Sequence, residues 1–250
     1  RTPEASAHDA AEAASDATHT AIRHVEVIDV ALYDGAELSQ RCRECSEPFL
    51  VRGGATAPDV MSRLCEDVGR HSVRWEVQDG CKASASSVDG SLQGCWEAVC
   101  DGLSGSCVIM QDGEILNSSV ENVYAPTYVA STSIADMLPF ELSPVSGQWL
   151  SLGSQGAKSQ LHRERHWLVW HRVLQGAADW RFLPPTTLEM HGAALGQCGV
   201  EVSQRDAFRL SDVWVGQQTP GDVLVVPPGW WQQFSYSAQA TAVASGLNLS

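Results

Sequence analysis

Cysteine is the residue type whose number and spacing first suggest chemistry in this sequence. There are eight cysteines, and seven of them lie between positions 42 and 107. An even number of cysteines clustered in one segment is typical of disulfides, which form in an oxidising compartment. Two alternatives stay open: free buried thiols, and a zinc site to which Cys42-x-x-Cys45 contributes, although no second Cys-x-x-Cys follows it. We therefore predict disulfides in a secretory or organellar lumen, rather than the cytoplasm, with these candidates: Cys42, Cys45, Cys65, Cys81, Cys95, Cys100 and Cys107.

A second stretch, "PPGWWQQFSYS" at residues 227–237, has the composition of a pocket wall. The Pro-Pro-Gly at its start predicts a tight turn, and two tryptophans and two glutamines follow it. Familiar catalytic motifs are missing, because the sequence contains no GxSxG, no phosphate-binding P-loop and no GxGxxG. Cys42-x-x-Cys45 also lacks the strand-to-helix context of a thioredoxin-like redox site. The sequence therefore offers no common hydrolase, nucleotide-binding or redox motif.

The composition limits the class of partner. The chain has 250 residues, 44% of them hydrophobic, and a formal net charge of -14. A protein that binds the phosphate backbone needs a basic surface, so we expect no nucleic-acid partner. No apolar run approaches the roughly 18 residues that a bilayer-spanning helix requires. We therefore expect no membrane-spanning segment, and a peripheral place on a membrane complex stays open.

The elements that would position these residues fall into two parts. Residues 1–24 predict a helical N-terminal arm, because Thr2 can cap a helix with Pro3 in its first turn and a run of alanines follows. Residues 25–250 predict one domain. Its first half alternates between strands and helices: "HVEVIDVALYD", "EPFLVRGGA" and "HSVRWEVQDG" predict strands, while "GAELSQRCRECS" and "PDVMSRLCEDVG" predict helices.

The remainder of the domain is rich in turns and strands. Residues at about 79–107 are rich in Cys, Gly and Ser, and they predict an insertion pinned by disulfides. A hairpin around Asp112-Gly113 and a short helix at "TSIADMLPFEL" are predicted next. From "GQWLSLGS" onward the signals are almost all strand and turn. This pattern is typical of a β-sandwich or a barrel.

The order of four of these pieces resembles the JmjC-like branch of the cupin superfamily, which belongs to the Fe(II)/2-oxoglutarate-dependent oxygenases. The resemblance covers roughly residues 25–250, and it rests on "EPFLVRGGA", "WLSLGSQGAKSQLHRER", "VLQGAADWRFLPP" and "TPGDVLVVPPGWWQQF". It implies a mainly β fold with flanking helices, a double-stranded β-helix or jelly roll. Active members use Fe(II) and 2-oxoglutarate to hydroxylate or demethylate their substrates.

The resemblance also implies where the metal ligands fall. The family's His-x-Asp pair matches His162-Arg163-Glu164, so a glutamate stands where aspartate is usual, and the third ligand, usually histidine, matches Gln232. A facial triad of two histidines and one carboxylate is the usual iron site. His171, His191 and Cys198 could replace a ligand only by folding back towards it. The implied candidates for the cosubstrate pocket are Ser159, Trp231 and Ala178, which takes the place of a lysine that pairs with 2-oxoglutarate.

Three departures from the family pattern together favour loss of catalysis. We predict that His162, Glu164 and Gln232 form a hydrogen-bonded polar cluster where iron would sit, because buried polar groups need partners. The chain is then a catalytically degenerate cupin without a cofactor, which acts as a structural or protein-binding accessory subunit of a larger assembly. The alternative is an Fe(II)/2-oxoglutarate-dependent hydroxylase with an atypical His162, Glu164 and Gln232 site. A third possibility is a non-iron cupin that binds a small ligand.

Overall fold

The fold was analysed in a computed structural model of the chain. The structure describes residues 21–53, 60–70, 72–79, 86–101, 106–110, 147–159, 161–164, 167–186 and 212–249. Its helices are α1 (Gly35–Glu44), α2 (Val60–Val68) and α3 (Leu92–Cys100), with a short 3-10 helix at Val30–Leu32. Its strands are β1 (Ile22–His24), β2 (Glu26–Asp29), β3 (Phe49–Arg52), β4 (Ser72–Asp79), β5 (Ser86–Ser91), β6 (Ser106–Met110), β7 (Gly147–Ser154), β8 (His162–Arg163), β9 (Trp167–Gln175), β10 (Ala178–Leu183), β11 (Val213–Gln218), β12 (Val223–Val226), β13 (Trp231–Tyr236) and β14 (Ala240–Leu249).

The strands form two sheets. The smaller has the order β1-β11-β10-β13-β8, and the larger has the order β2-β3-β12-β9-β14-β7-β6-β4-β5. Both are mixed, because β1 pairs with β11 and β2 pairs with β3 in parallel, whereas the other pairs are antiparallel. The expected mainly β fold with flanking helices is confirmed, and the arrangement of the sheets is that of a β-sandwich.

The central strands β3, β12 and β9 of the larger sheet are buried on both faces. The outer face of this sheet packs against the three helices, with Leu38 of α1, Met61 of α2 and Leu92 of α3 among the buried residues. Its inner face packs against the smaller sheet through a core of aliphatic and aromatic side chains that includes Val173, Trp180 and Phe234, among others. Burial on both faces explains why β12 reads Val-Leu-Val-Val without alternation.

The helices begin where the sequence supplies caps. At α1, the Asp34 side chain accepts the Glu37 N–H at 2.8 Å, and the Glu37 carboxylate accepts the Asp34 N–H at 3.0 Å. This capping box satisfies two N–H groups that a helix start leaves without partners. The helices predicted from "GAELSQRCRECS" and "PDVMSRLCEDVG" are both present as α1 and α2.

Two predicted segments differ from the structure. The expected insertion at about 79–107 contains a regular strand and helix, β5 and α3, and the Ser91 hydroxyl caps α3 by accepting the Gly94 N–H at 3.1 Å. The expected helical arm of residues 1–24 ends in a strand, because Ile22–His24 pairs with β11. Residues 1–20 lie outside the described residues, as do the hairpin turn at Asp112-Gly113 and the helix predicted at "TSIADMLPFEL".

The disulfide prediction is not supported by the cysteines whose side chains the structure describes. None of the five cysteines concerned forms a disulfide: Cys42, Cys45, Cys65, Cys95 and Cys100. Burial raises the pKa of Cys45 to about 11 and that of Cys95 to about 12, so these two thiols stay protonated and unreactive near neutral pH. The side chains of the other two candidates, Cys81 and Cys107, lie outside the description. The oxidising compartment therefore stays a prediction from the sequence pattern.

No membrane-crossing helix is present in the described part of the chain. The longest helix there, α1, has ten residues. None of the described helices combines the length and the apolar character that crossing a bilayer requires.

Candidate functional site

Strand alternation brings polar side chains together between the two sheets. On β9, Val169 and Val173 belong to the core between the sheets, and His171 lies midway between them on the same face. On β13, Phe234 is part of the same core, so Gln232, two residues earlier, also points inwards. The facing strands therefore direct His171 and Gln232 towards each other.

Four side chains from four strands form a continuous hydrogen-bonded row in this interior. The Nδ1 atom of His171 lies 2.8 Å from the Ser245 hydroxyl, and its Nε2 atom lies 3.1 Å from Oε1 of Gln232. The Nε2 atom of Gln232 lies 3.3 Å from Nε2 of His162. Ser245, His171 and Gln232 are only 1%, 3% and 1% exposed, respectively, so water has little access to the row. We call these four residues the polar row.

The protonation of His171 determines the direction of the hydrogen bonds. Burial lowers the pKa of His171 to about 3, against the opposing effect of its hydrogen bond with Gln232, and the electrostatic influence of nearby His162 makes a smaller contribution that also lowers it. The ring is therefore neutral at pH 7, with one nitrogen as donor and the other as acceptor. When Nε2–H of His171 donates to the Gln232 carbonyl, Nδ1 accepts the Ser245 hydroxyl, and the Gln232 amide donates to His162. Every group in the row then has a matching partner.

A second glutamine holds His171 in place. The side-chain amide of Gln218 donates to the backbone carbonyls of His171 at 2.7 Å and Asp222 at 2.9 Å. Its carbonyl accepts the indole N–H of Trp180 at 2.8 Å. The Trp180 ring then lies against the His171 imidazole, with ring centroids 4.3 Å apart. Gln218 is fully buried, so its hydrogen bonds link β9, β10 and β11 without help from solvent.

The predicted metal ligands do not all meet in the polar row. The antiparallel register of β13 and β8 places Gln232 opposite His162, and the two side chains are in contact. Glu164 follows the end of β8, and it contributes its backbone carbonyl, which accepts the Gly229 N–H at 2.8 Å. The partners that complete the row are His171 and Ser245, rather than Glu164. The expected polar cluster thus has a different third member.

Ser159, a candidate for the cosubstrate pocket, forms hydrogen bonds with β13. Its hydroxyl accepts the Phe234 N–H at 3.0 Å, and its carbonyl accepts the side-chain amide of Gln233 at 3.1 Å. Both bonds fasten the segment before β8 to β13. The side chain of Gln233 lies on the opposite face of β13 from that of Gln232, because successive side chains of a strand alternate between its faces.

The other two cosubstrate candidates lie apart from each other. Ala178 is fully buried in the core between the sheets. Trp231 points to the opposite face of β13 from Gln232, where the Arg163 guanidinium lies 4.8 Å from its ring centroid. Its ring packs with Leu183 and Val213 in a separate small cluster. Trp231 therefore does not line the interior that contains the polar row.

The donor set does not fit the iron site that the resemblance implies. A facial triad needs two imidazoles and a carboxylate with free lone pairs directed at one point. The polar row contains no carboxylate, and the Gln232 amide is engaged at both ends by imidazoles. Within the described ranges, no group of three or more His, Cys, Asp or Glu side chains is placed to hold a metal ion.

From the sequence, His171 was expected to join the site only if the chain folded back towards it, and Ser245 and Gln218 were not identified. A signal for His171 exists in β9, where a lone polar residue at an alternate position between two valines marks the inward face. Ser245 and Gln218 carry no comparable signal, because serine and glutamine are common on strand surfaces. Their roles depend on which strands face each other, and this is a property of the tertiary structure.

No protein-family model matches the sequence, and no curated protein matches it.

Proposed function

We propose that this protein is a catalytically degenerate member of the JmjC-like cupins that serves as a structural or protein-binding accessory subunit of a larger assembly. The observation that carries the proposal is the buried amide of Gln232, held between the imidazoles of His162 and His171. At the position where the family resemblance implies a third metal ligand, the chain has a neutral group whose hydrogen-bonding capacity is used internally. The polar row therefore stabilises the interior instead of presenting open coordination positions.

The path of the chain supports the jelly-roll part of this proposal. From β7 onward, the chain crosses repeatedly between the larger and the smaller sheet, although the consecutive strands β10 and β11 share the smaller one. Strands β7, β9, β12 and β14 lie in the larger sheet, and β8, β10, β11 and β13 lie in the smaller. Repeated crossing between two facing sheets is the feature that a double-stranded β-helix requires. The Pro-Pro-Gly turn before β13, with Gly229 at φ 83°, makes one of these crossings.

The energetics of the polar row favour the loss of metal binding. For Gln232 to coordinate iron, its carbonyl would have to give up the hydrogen bond with His171, and His162 would have to give up the Gln232 amide. Each buried polar group left without its partner costs about 1–3 kcal/mol. A neutral amide also binds divalent iron less strongly than the imidazole it replaces. Both effects lower the affinity of the interior for Fe(II).

Metal analysis and turnover of 2-oxoglutarate test this proposal. We expect the purified protein to contain less than stoichiometric iron, and to consume no 2-oxoglutarate when Fe(II) and ascorbate are added. Stoichiometric iron together with uncoupled 2-oxoglutarate turnover would contradict the accessory role and favour the atypical hydroxylase.

A pair of variants tests whether the scaffold is an inherited oxygenase interior. Gln232→His combined with Glu164→Asp restores the family's ligand types, and we expect it to gain Fe(II) affinity in calorimetric titrations. Gln233→His combined with the same Glu164→Asp is the matched control, because residue 233 points away from the polar row. Equal iron affinity in both double variants would show that the interior has no special relation to a metal site.

A further inference from the structure

The exposed apolar surface of the described residues is concentrated in one short segment. The large hydrophobic side chains that are exposed there are Ile22 at 69%, Val27 at 50%, Leu32 at 77% and Tyr33 at 40%. Single exposed apolar residues scattered over a surface are common and need no explanation. Four within residues 22–33, and none among the other residues whose exposure the structure describes, indicate an interaction surface.

The same segment forms the edge of both sheets. β1 is the last strand of the smaller sheet and β2 is the last strand of the larger, among the strands that the structure describes. Only Val25 separates the two strands, and its side chain is buried in the core between the sheets. The extended stretch 22–29 therefore runs along one side of the sandwich and crosses from one sheet to the other. We call residues 22–33 the edge segment.

The outer side of the edge segment offers backbone hydrogen-bonding groups. The carbonyl of Ala21 accepts the Val213 N–H at 3.0 Å, and the Val25 N–H donates to the Val215 carbonyl at 2.9 Å. Ala21 and Val25 therefore direct their backbone groups towards β11. Alternate residues of a strand direct their backbone groups to opposite sides, so Ile22 and His24 direct theirs away from β11. No described strand lies on that side. A row of such groups is a template for an added strand.

The charges around the edge segment define the kind of strand that fits. Three arginine neighbours are already engaged. Arg23 lies 2.9 Å from Asp212, and Arg41 forms an ion pair with Glu26. Arg52, which is opposite Asp29 in the register of β2 and β3, lies 3.6 Å from Asp222. Three exposed acids have no salt bridge with any described residue: Asp29, Asp34 and Glu37. The local surface thus has an excess of negative charge, which a basic partner complements.

Charge also argues against two occupants that this chain itself could supply. A second copy would bring a net charge of -14 and the same acidic edge against this one. Residues 1–20, which precede the edge segment, contain one arginine and four acids, namely Glu4, Asp9, Glu12 and Asp16. Like charges placed across an interface are unfavourable. A separate, basic polypeptide is the occupant that the surface favours.

We propose that the edge segment is the docking site of a partner protein, which adds a basic, extended strand to β1 and β2. Backbone groups of the added strand pair with the outer side of the edge segment, and its apolar side chains pack on Ile22, Val27 and Leu32. Its lysine or arginine side chains face Asp29, Asp34 and Glu37. This inference rests on the proposed accessory role, and it names the class of partner that the role requires.

Selection from a phage-displayed library of random ten-residue peptides tests the docking site. We expect the enriched peptides to carry net positive charge with apolar residues at alternate positions, and to bind more weakly as salt is added. The double variant Val27→Arg and Leu32→Arg should weaken the binding of the synthesised peptides by about ten-fold or more, because it removes two apolar contacts and repels a basic strand. The matched control, Gln93→Arg and Gln155→Arg, adds the same charge at exposed positions elsewhere and should retain binding.

Four outcomes would overturn the docking site. These are no enrichment, enriched peptides without net positive charge, equal affinity for the edge variant and the unaltered protein, and a concentration-dependent dimer in sedimentation that the edge variant dissociates. The last would assign the edge to a second copy. The iron and 2-oxoglutarate assays are independent of these results. If the protein turns over 2-oxoglutarate and the edge variant loses peptide binding, the accessory role alone is refuted. If the protein shows no turnover and the edge variant binds the peptides as well as the unaltered protein does, the docking site alone is refuted.

Discussion

The buried His171 makes the stability of this protein dependent on pH in a predictable direction. Its pKa is about 3 in the folded protein, whereas an exposed histidine has a pKa of 6.5. The unfolded chain therefore binds a proton that the folded chain rejects throughout the range between these two values. The stabilising contribution is complete above the unfolded pKa, and it is lost progressively as the pH falls through 6.5 towards 3.

The magnitude follows from the two pKa values. One proton taken up on unfolding costs about 1.4 kcal/mol of stability for each pH unit within this range. Because uptake begins near pH 6.5, lowering the pH from 7 to 5 removes about 2 kcal/mol through His171 alone. This is a large fraction of the roughly 5–15 kcal/mol by which folded domains are stable.

Urea unfolding followed by tryptophan fluorescence at pH 7, 6 and 5 measures this contribution. Other histidines and carboxylates also titrate, so the informative quantity is the difference between the protein and His171→Gln, which has a neutral side chain that can still form hydrogen bonds. We expect the variant to be less stable at pH 7 but to lose about 2 kcal/mol less than the unaltered protein on going to pH 5. If both proteins lose the same free energy of unfolding, His171 is not buried in the neutral form and the polar row is wrongly described.

Three further substitutions are predicted from the same structure, each measured by urea unfolding at pH 7. Gln218→Leu removes three buried hydrogen bonds and should cost about 3 kcal/mol or more, and a loss below about 1 kcal/mol would show that Gln218 does not link the strands. Ser245→Ala leaves a buried imidazole nitrogen without its partner and should cost about 1–3 kcal/mol, whereas a neutral effect would place that nitrogen in contact with water. Gly153→Ala places a methyl group 2.4 Å from the buried Tyr236 ring and should cost about 1–3 kcal/mol. The comparison variant Gly156→Ala meets no neighbour within 4 Å and carries only the strain of a positive φ, about 1–2 kcal/mol. A loss below about 1 kcal/mol for Gly153→Ala would contradict the packing.

Local signals explain which elements the sequence predicts well. The helix α1 is recognisable because Asp34 and Glu37 stand at the spacing of a capping box, and the turn before β13 is recognisable because Pro-Pro-Gly supplies both a restricted and a permissive residue. Each of these signals acts within a few residues of chain. The strands of the second half are likewise visible from their β-branched and aromatic residues.

Helix α3 shows where local signals fail. Its sequence, LQGCWEAVC, contains a glycine and two cysteines, which lower the helix propensity and led to the expectation of a disulfide-pinned insertion. The helix forms because Leu92 and Val99 are buried against the larger sheet, and the Ser91 cap starts it. Tertiary packing therefore outweighs a weak local preference, and packing is not visible in a nine-residue window.

The polar row could be predicted only in part, for a geometric reason. The sequence indicates that His162 and Gln232 belong to one site through the family resemblance, and the antiparallel register of β8 and β13 brings them together. The contribution of His171 depends on the opposite sheet, at a sequence distance of 61 residues from Gln232. The residue pattern within a strand relates only positions a few residues apart, so it could not indicate a contact across 61 residues. The third member was therefore expected to be Glu164.

The position of β14 has a consequence for how the protein is made. This strand, the last in the described chain, lies in the middle of the larger sheet, with β9 on one side and β7 on the other. The sheet cannot close until residues 240–249 have left the ribosome, so the facing edges of β7 and β9 stay unpaired until then. Exposed strand edges of this kind promote aggregation. The chain is therefore more prone to aggregation before β14 pairs than after it.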